Sequence, residues 1–275
     1  DLFPKDYVSF LIGRDDDYLK QPSDGVKLAV YGDAANFDIV AIPFFEPNTL
    51  PAGDRLSFFD PFQGGIAGRS SDRMLIEPPL QASNAEYALR AYRTFERYET
   101  ALYYFHGFYK NPLGYKNQAL RQLYYPGLDA SGASVRGPFA GGIGSAEFGY
   151  YYSREDPDGD DRLIQNSSFK LLAGYDRDLG GNLRLGGQYL YERTLDYGAY
   201  RRALLPGDYV WDQVRQTVTL RLIKQNSRQT LTANLFALYS FTDRDTFWRP
   251  VLEWKKTDNL TLTLGANLIW GEDAL

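Results

Sequence analysis

Hydrophobic and polar residues alternate along most of this chain. Leu183, Leu185, Gly187, Tyr189 and Tyr191 share one parity, and Arg184, Gly186, Gln188 and Glu192 share the other. Val214, Val218, Leu220 and Leu222 oppose Arg215, Thr217, Thr219 and Arg221 in the same way. The pattern continues in Leu231–Phe241 against Thr230, Thr232, Asn234 and Ser240, and in Trp248, Pro250, Leu252 and Trp254 against Arg249, Glu253 and Lys255. Leu260 to Trp270 oppose Thr261, Thr263, Gly265 and Asn267. Upstream, Ala146, Phe148, Tyr150 and Tyr152 oppose Glu147 and Ser153, and Phe169, Leu171, Ala173 and Tyr175 oppose Lys170 and Asp176. A period of two sends successive side chains to opposite faces of a sheet. The pattern therefore predicts about twelve strands. They fall at 25–32, 37–46, 84–95, 98–109, 121–135, 144–154, 167–177, 182–193, 213–224, 229–241, 247–256 and 260–270. Helical spacing is confined to short pieces such as 7–11.

The connections between these segments alternate in length. Short ones fall at 32–36, 96–97, 137–142, 178–182, 225–228 and 257–259. Long ones fall at 47–83, 110–120, 155–166 and 194–212, with 242–246 a shorter member of the long class. Alternating tight turns and long loops are the habit of up-and-down barrels of the outer membrane, whose long loops are extracellular. Soluble sandwiches and small barrels have no need of that asymmetry.

Loop length fixes which strand ends are external without reference to aromatics, and the aromatics then fall into place. Tyr150, Tyr152, Tyr189, Tyr191, Tyr239, Phe241, Trp248 and Trp270 lie at the long-loop ends. Tyr175 and Trp254 lie at the short-turn ends. These rings sit on the apolar parity, as expected of a girdle at each water–lipid boundary, where one edge of the ring prefers lipid and the other water.

Composition agrees. With 22 Tyr and 17 Phe beside 24% charged residues, the chain is richer in aromatics than a soluble core requires. No apolar run approaches the ~18 residues of a membrane-spanning helix. The absence of Cys excludes disulfides, thiolate metal sites and a cysteine nucleophile, and a single His excludes a histidine cage. A net charge of -5 disfavours nucleic acid as a partner. Asp1-Leu2-Phe3-Pro4 has neither a basic head nor an apolar run, so the start reads as that of a mature or trimmed chain.

The polar parity carries Lys27, Glu86, Arg90, Glu147, Lys170, Arg184, Glu192, Arg215, Arg221, Arg249, Glu253 and Lys255. An Arg or Lys facing lipid at the midplane would cost about 2–4 kcal/mol, so these residues are expected on an enclosed, wet or hydrogen-bonded side. Two readings stand for them. They line a channel that selects solutes by charge and size, or they pair across strands in a plugged lumen. Arginines outnumber carboxylates on the later strands, which inclines the first reading toward anionic or polyhydroxylated solutes.

Three further features bear on chemistry. The 47–83 loop, with Phe58-Phe59-Asp60-Pro61-Phe62-Gln63-Gly64-Gly65 and then Arg69, Arg73 and Glu77, reads either as a filter folded into the barrel or as a patch packed on its rim. The carboxylates of 155–161 are spaced around Gly159 as in a calcium loop but lack the later Glu ligand, so an acidic external loop is expected and no metal is assigned. His106 has Phe108 where the outer-membrane phospholipase A family has its catalytic Ser, and it lacks the acidic cluster of the omptin proteases. It is expected to be a lumen or girdle histidine, and no enzyme activity or cofactor is assigned. Entry of apolar molecules through a lateral opening is the remaining reading, with Tyr104 and Phe108 expected on the inner face.

Asp1-Leu2-Phe3-Pro4, then 25–31, then Ile42-Pro43-Phe44-Phe45-Glu46-Pro47-Asn48-Thr49-Leu50-Pro51 resemble bacterial outer-membrane porin-type β-barrels, akin to the alginate-export and related porin-like families. The resemblance covers the whole chain. It implies an all-β, transmembrane, antiparallel up-and-down barrel over 25–275, preceded by a periplasmic or lumen-associated segment over 1–24. The final Gly271-Glu272-Asp273-Ala274-Leu275 reads as the start of an external loop, so about twelve strands are expected here and twelve to sixteen in an intact barrel. The implied role is a porin-like channel of a Gram-negative outer membrane, for passive or facilitated diffusion of small polar or anionic solutes. The implied partners are outer-membrane lipid and lipopolysaccharide, with a homo-oligomer or an envelope protein as a further partner. A scaffold barrel with a plugged lumen and, less favoured, a phospholipase-type enzyme are the alternatives.

Overall fold

The structure, a computed structural model, describes residues 23–48, 58–60, 65–68 and 74–271. Residues 7–11, Arg69 and Arg73 lie outside the described residues. The chain is all-β, and its principal element is one antiparallel up-and-down sheet. Its strands are β1 (Val26–Val30), β2 (Asn36–Ile42), β6 (Glu86–Phe95), β7 (Tyr98–Phe108), β10 (Gly127–Phe139), β11 (Gly142–Ser153), β12 (Ser168–Asp178), β13 (Leu183–Thr194), β14 (Val214–Gln225), β15 (Leu231–Ser240), β16 (Thr246–Thr257) and β17 (Leu260–Gly265), in that spatial order. β18 (Leu268–Trp270) continues β17 alongside β16. The remaining elements belong to the long connections. They are β3 (Phe58–Asp60), β4 (Gly65–Ala67), β5 (Met74–Ile76), a 3-10 turn (Ala82–Asn84), β8 (Gly114–Asn117), β9 (Gln122–Tyr124) and α1 (Tyr197–Ala203).

Each strand expected from the alternation has a counterpart in this sheet. Two departures have local causes. The expected 121–135 strand is cut by Pro126, which cannot donate to a ladder. The piece before it is β9, which pairs with β8 and, in parallel, with β5. The piece after it, β10, runs on past Gly137-Pro138, and the chain reverses at Ala140-Gly141, both at positive φ (46° and 77°). Two residues of that kind form the tight hairpin turn whose twist matches the flanking strands. At the far edge, Pro250 O accepts from Ala266 N at 3.1 Å, and Pro250 has no N–H with which to return the bond. The ladder lapses there, between β17 and β18.

The register assigns every side chain to a face, because directly opposed residues of an antiparallel pair point the same way. One face carries Leu28, Ile39, Leu89, Leu102, Ala133, Phe148, Leu171, Tyr189, Leu220, Leu235, Leu252 and Leu264. Most of these are exposed, Leu102 at 64%. Its charged residues, among them Arg93, Asp129, Arg177, Arg193, Lys224 and Lys256, lie toward the strand ends. The opposite face holds the charged alternation. The ladder from β1 to β17 does not close on itself: among the described residues β1 pairs only with β2. The expected closed barrel is therefore an open sheet here.

The buried hydrophobic core sits at the long-loop end of the polar face. Phe105, Leu128, Ala130 and Tyr151 are buried there beneath Tyr109, with Ala88 and Leu113 packed against them. The connection between β7 and β10 thus folds back over the polar face of the sheet.

Candidate functional site

All twelve charged residues expected on the polar parity lie on the polar face, and the nine aromatics expected in a girdle, Tyr150, Tyr152, Tyr175, Tyr189, Tyr191, Tyr239, Trp248, Trp254 and Trp270, lie on the apolar one. Tyr104 and Phe108 belong to the apolar face too, since Tyr104 opposes Ser131 and Phe108 opposes Gly127. Their expected inner placement is corrected. Each is an even count from Leu102, which register sets on that face.

The charges of the polar face form three groups. On the first strands, Asp38 bridges Lys27 (3.2 Å) and Arg90 (3.8 Å), and Arg90 also reaches Glu99 (2.6 Å) and stacks over Tyr92. In the middle, Lys170 meets Glu192 at 2.6 Å and lies over the Tyr151 ring. Glu192 opposes Arg215, whose Nε donates to Asp243 at 2.9 Å. This makes a ladder of alternating sign across β12, β13 and β14. Lower on the sheet, Arg221, Phe236 and Arg249 stand side by side on β14, β15 and β16. Gly186 leaves room beside Arg221 for the carboxylate of Asp176, which a Cβ would meet at 2.5 Å. Arg184 lies 3.9 Å from Asp178 near a turn. Glu147 opposes Ser134 and Leu172, Glu253 opposes Thr232 and Thr263, and Lys255 opposes Thr261. The partners Asp38 and Asp243 had a signal in the sequence: Asp38 alternates with Phe37 and Ile39 on β2, and Asp243 sits in the shortest of the long loops.

Glu86 differs from the rest. It is fully buried, accepts from Phe108 N at 3.2 Å and holds Lys110 Nζ at 2.5 Å. Gly107 makes this fit, because a Cβ there would lie 2.6 Å from the carboxylate. Lys110 belongs to the β7–β10 connection, so the pair ties that connection to the sheet. Phe45 packs on Tyr125 (4.8 Å between centroids) and Phe108 (5.7 Å) at the same place.

The long loops are joined to one another over this end. Tyr115 N donates to Leu163 O (2.9 Å), and Gln165 N to Leu113 O (3.0 Å). Arg162 Nη1 donates to both carboxylate oxygens of Asp208 (3.1 Å each), and Asn166 Nδ2 donates to Leu195 O (3.1 Å). Burial raises the phenols of Tyr109 and Tyr125, the latter to about 12, and Tyr124 is raised by burial together with its bond to Glu155. In the acidic loop, Asp156 Oδ1 accepts from the amides of Asp160 and Asp161 (3.0 and 3.2 Å), and burial pushes its carboxyl up. Burial likewise raises Asp245, with Asp243 adding to the effect.

His106 stands on the apolar face at the loop end. Its Nδ1 lies 2.6 Å from Asp129 Oδ1 and its Nε2 3.2 Å from Arg154 Nη1. A cavity of about 240 Å³ opens beside it, lined in part by Ser83, Phe108 and Glu155. No protein-family model matches the chain, and no curated protein and no solved structure matches it either.

Proposed function

We propose that this chain forms the wall of a bacterial outer-membrane channel that passes small polar or anionic solutes without chemistry. The observation that carries the reading is the apolar face. Its exposed side chains form an uncharged band across twelve neighbouring strands, edged by Tyr and Trp, while the charges lie opposite. On β10 this face is uncharged from Ser131 to Phe139, and Asp129 precedes it; the ten residue-to-residue steps from Asp129 to Phe139 measure about 33 Å along the strand, or about 25 Å after a ~40° tilt, the height of the apolar belt of such barrels. Water offers no reason to display such a band, and acyl chains do.

Lipid also requires that no strand edge stay unpaired, since each free N–H or C=O costs several kcal/mol there. The channel reading therefore requires the free edges of β1 and β17 to pair. The two strands run antiparallel to each other, so they can meet directly or through further strands of the same meander. Arg215, Arg221 and Arg249 then face the bore beside Glu192 and Glu253 and set a weak preference for anions. The β7–β10 connection, lying over the polar face, narrows it.

The test is single-channel current in planar bilayers. Arg215→Glu and Arg221→Glu are expected to shift ion preference toward cations. Absence of current from the wild type and from a form with its long loops shortened would overturn the reading. That outcome would favour a sealed scaffold barrel, to which the paired charges of the Lys170–Glu192–Arg215 ladder and the buried Glu86–Lys110 pair lend support.

A further inference from the structure

Arg154, the first residue after β11, sits at both roots of the connection that covers the polar face. That connection leaves the sheet after Phe108 and returns at Gly127. Arg154 Nη2 donates to Gly107 O at 2.5 Å, and Arg154 N donates to Gly127 O at 3.1 Å. Its guanidinium lies flat on Gly127, where a Cβ would come within 2.8 Å of it. The next residue, Glu155, accepts from Gly127 N (3.1 Å) and from Tyr124 OH (2.6 Å). The covering connection is therefore stapled at its two ends by one dipeptide.

The third anchor of that guanidinium is His106. The short contact to Asp129 places the imidazole proton on Nδ1 and leaves Nε2 as the acceptor for Arg154 Nη1. That arrangement exists only while the ring is neutral. A second proton on Nε2 turns an acceptor into a donor and sets two cations against each other at hydrogen-bond distance.

We infer that His106 and Arg154 form a proton-sensitive latch at the two roots of the 109–126 connection, which loosens that connection's attachment to the sheet when the imidazole becomes charged. The cavity beside His106 gives protons access. The other groups facing the ring are accounted for. Asp129 on β10 retains the protonated imidazole and lies 4.0 Å from Arg154 Nε, so the displaced guanidinium has a carboxylate to turn to. Tyr104, on β7 like the ring itself, bonds the same Asp129 oxygen at 3.5 Å, Tyr87 opposes the ring on β6, and Glu155 is occupied by Gly127 and Tyr124. Glu86 and Lys110 face the other side of the sheet and satisfy each other.

The test is amide hydrogen exchange of residues 109–126 in the full chain in detergent micelles. It is read from about pH 8 to about pH 5, with intrinsic rates corrected. Protection is expected to fall roughly tenfold on acidification, as loss of one charge-assisted bond implies. In His106→Gln, which keeps a neutral acceptor, the profile should be flat and protected. In Arg154→Gln it should be flat and unprotected. A wild-type profile without a step, or a step that persists in His106→Gln, would overturn the latch. The latch does not depend on conduction. A pH step in exchange without any bilayer current would contradict the channel and leave the latch standing, and current through a protein with no step would do the reverse.

Discussion

Two stretches of the same polar face are built in opposite ways. From β6 to β11 its loop end is covered: Phe105, Leu128, Ala130 and Tyr151 are buried under Tyr109, and the charged residue among them, Glu86, is 0% exposed and tied to Lys110. From β12 to β16, among the described residues, the charges are more open, and Lys170, Glu192 and Arg215 stay partly exposed in a ladder. The ion pairs have almost the same length, 2.5 Å and 2.6 Å, in the two stretches. The difference lies in solvent. A covered charge depends on its one partner, whereas an open charge can exchange its partner for water.

Removing the cation from each pair separates the two cases. Lys110→Met strands the Glu86 carboxylate in a dry site and is expected to cost about 3–5 kcal/mol, read as a lowered urea midpoint for unfolding from lipid vesicles. Lys170→Met, measured the same way, is expected to cost about 1 kcal/mol or less because water reaches Glu192. Equal costs would erase the distinction between covered and open stretches.

That distinction was not legible in the sequence, although the strands were. Alternation assigned Lys170 and Glu86 to the same parity, and both lie on the same face. Nothing in a period of two says which part of a face another segment will cover. The covering segment lacks the pattern: Leu123-Tyr124-Tyr125 is an apolar run whose side chains were expected to extend a sheet strand, and only Pro126 marks the break. Contacts such as Arg154 with His106, 48 positions apart, depend on register between distant strands, which single-sequence reading leaves open. The edge behaviour of β1 and β17 was hidden for the same reason.

A smaller effect tests the loops that join over the covered end. Burial raises the Asp156 carboxyl, so its ionised form weakens the fold. Because the folded value lies above the unfolded one, stability rises as pH falls through the folded value. The gain is complete below the unfolded value near 4. Asp156→Asn keeps an oxygen for the amides of Asp160 and Asp161 and removes the charge. Limited proteolysis between Arg154 and Ser167 is expected to slow slightly at neutral pH in this variant and to lose its dependence on acid. A wild-type loop that becomes more sensitive on mild acidification would contradict the sign.

The central claim is that the apolar face meets lipid and the polar face does not. Leu220 and Thr219 are adjacent on β14 and point to opposite faces. Each is changed to Arg, and the free energy of folding into lipid vesicles is measured. Leu220→Arg is expected to cost about 2–4 kcal/mol, as an arginine near the midplane does, and Thr219→Arg close to none. Costs below about 0.5 kcal/mol for both, the ordinary range for a solvated surface, in a protein that stays folded and monomeric without detergent would contradict the account.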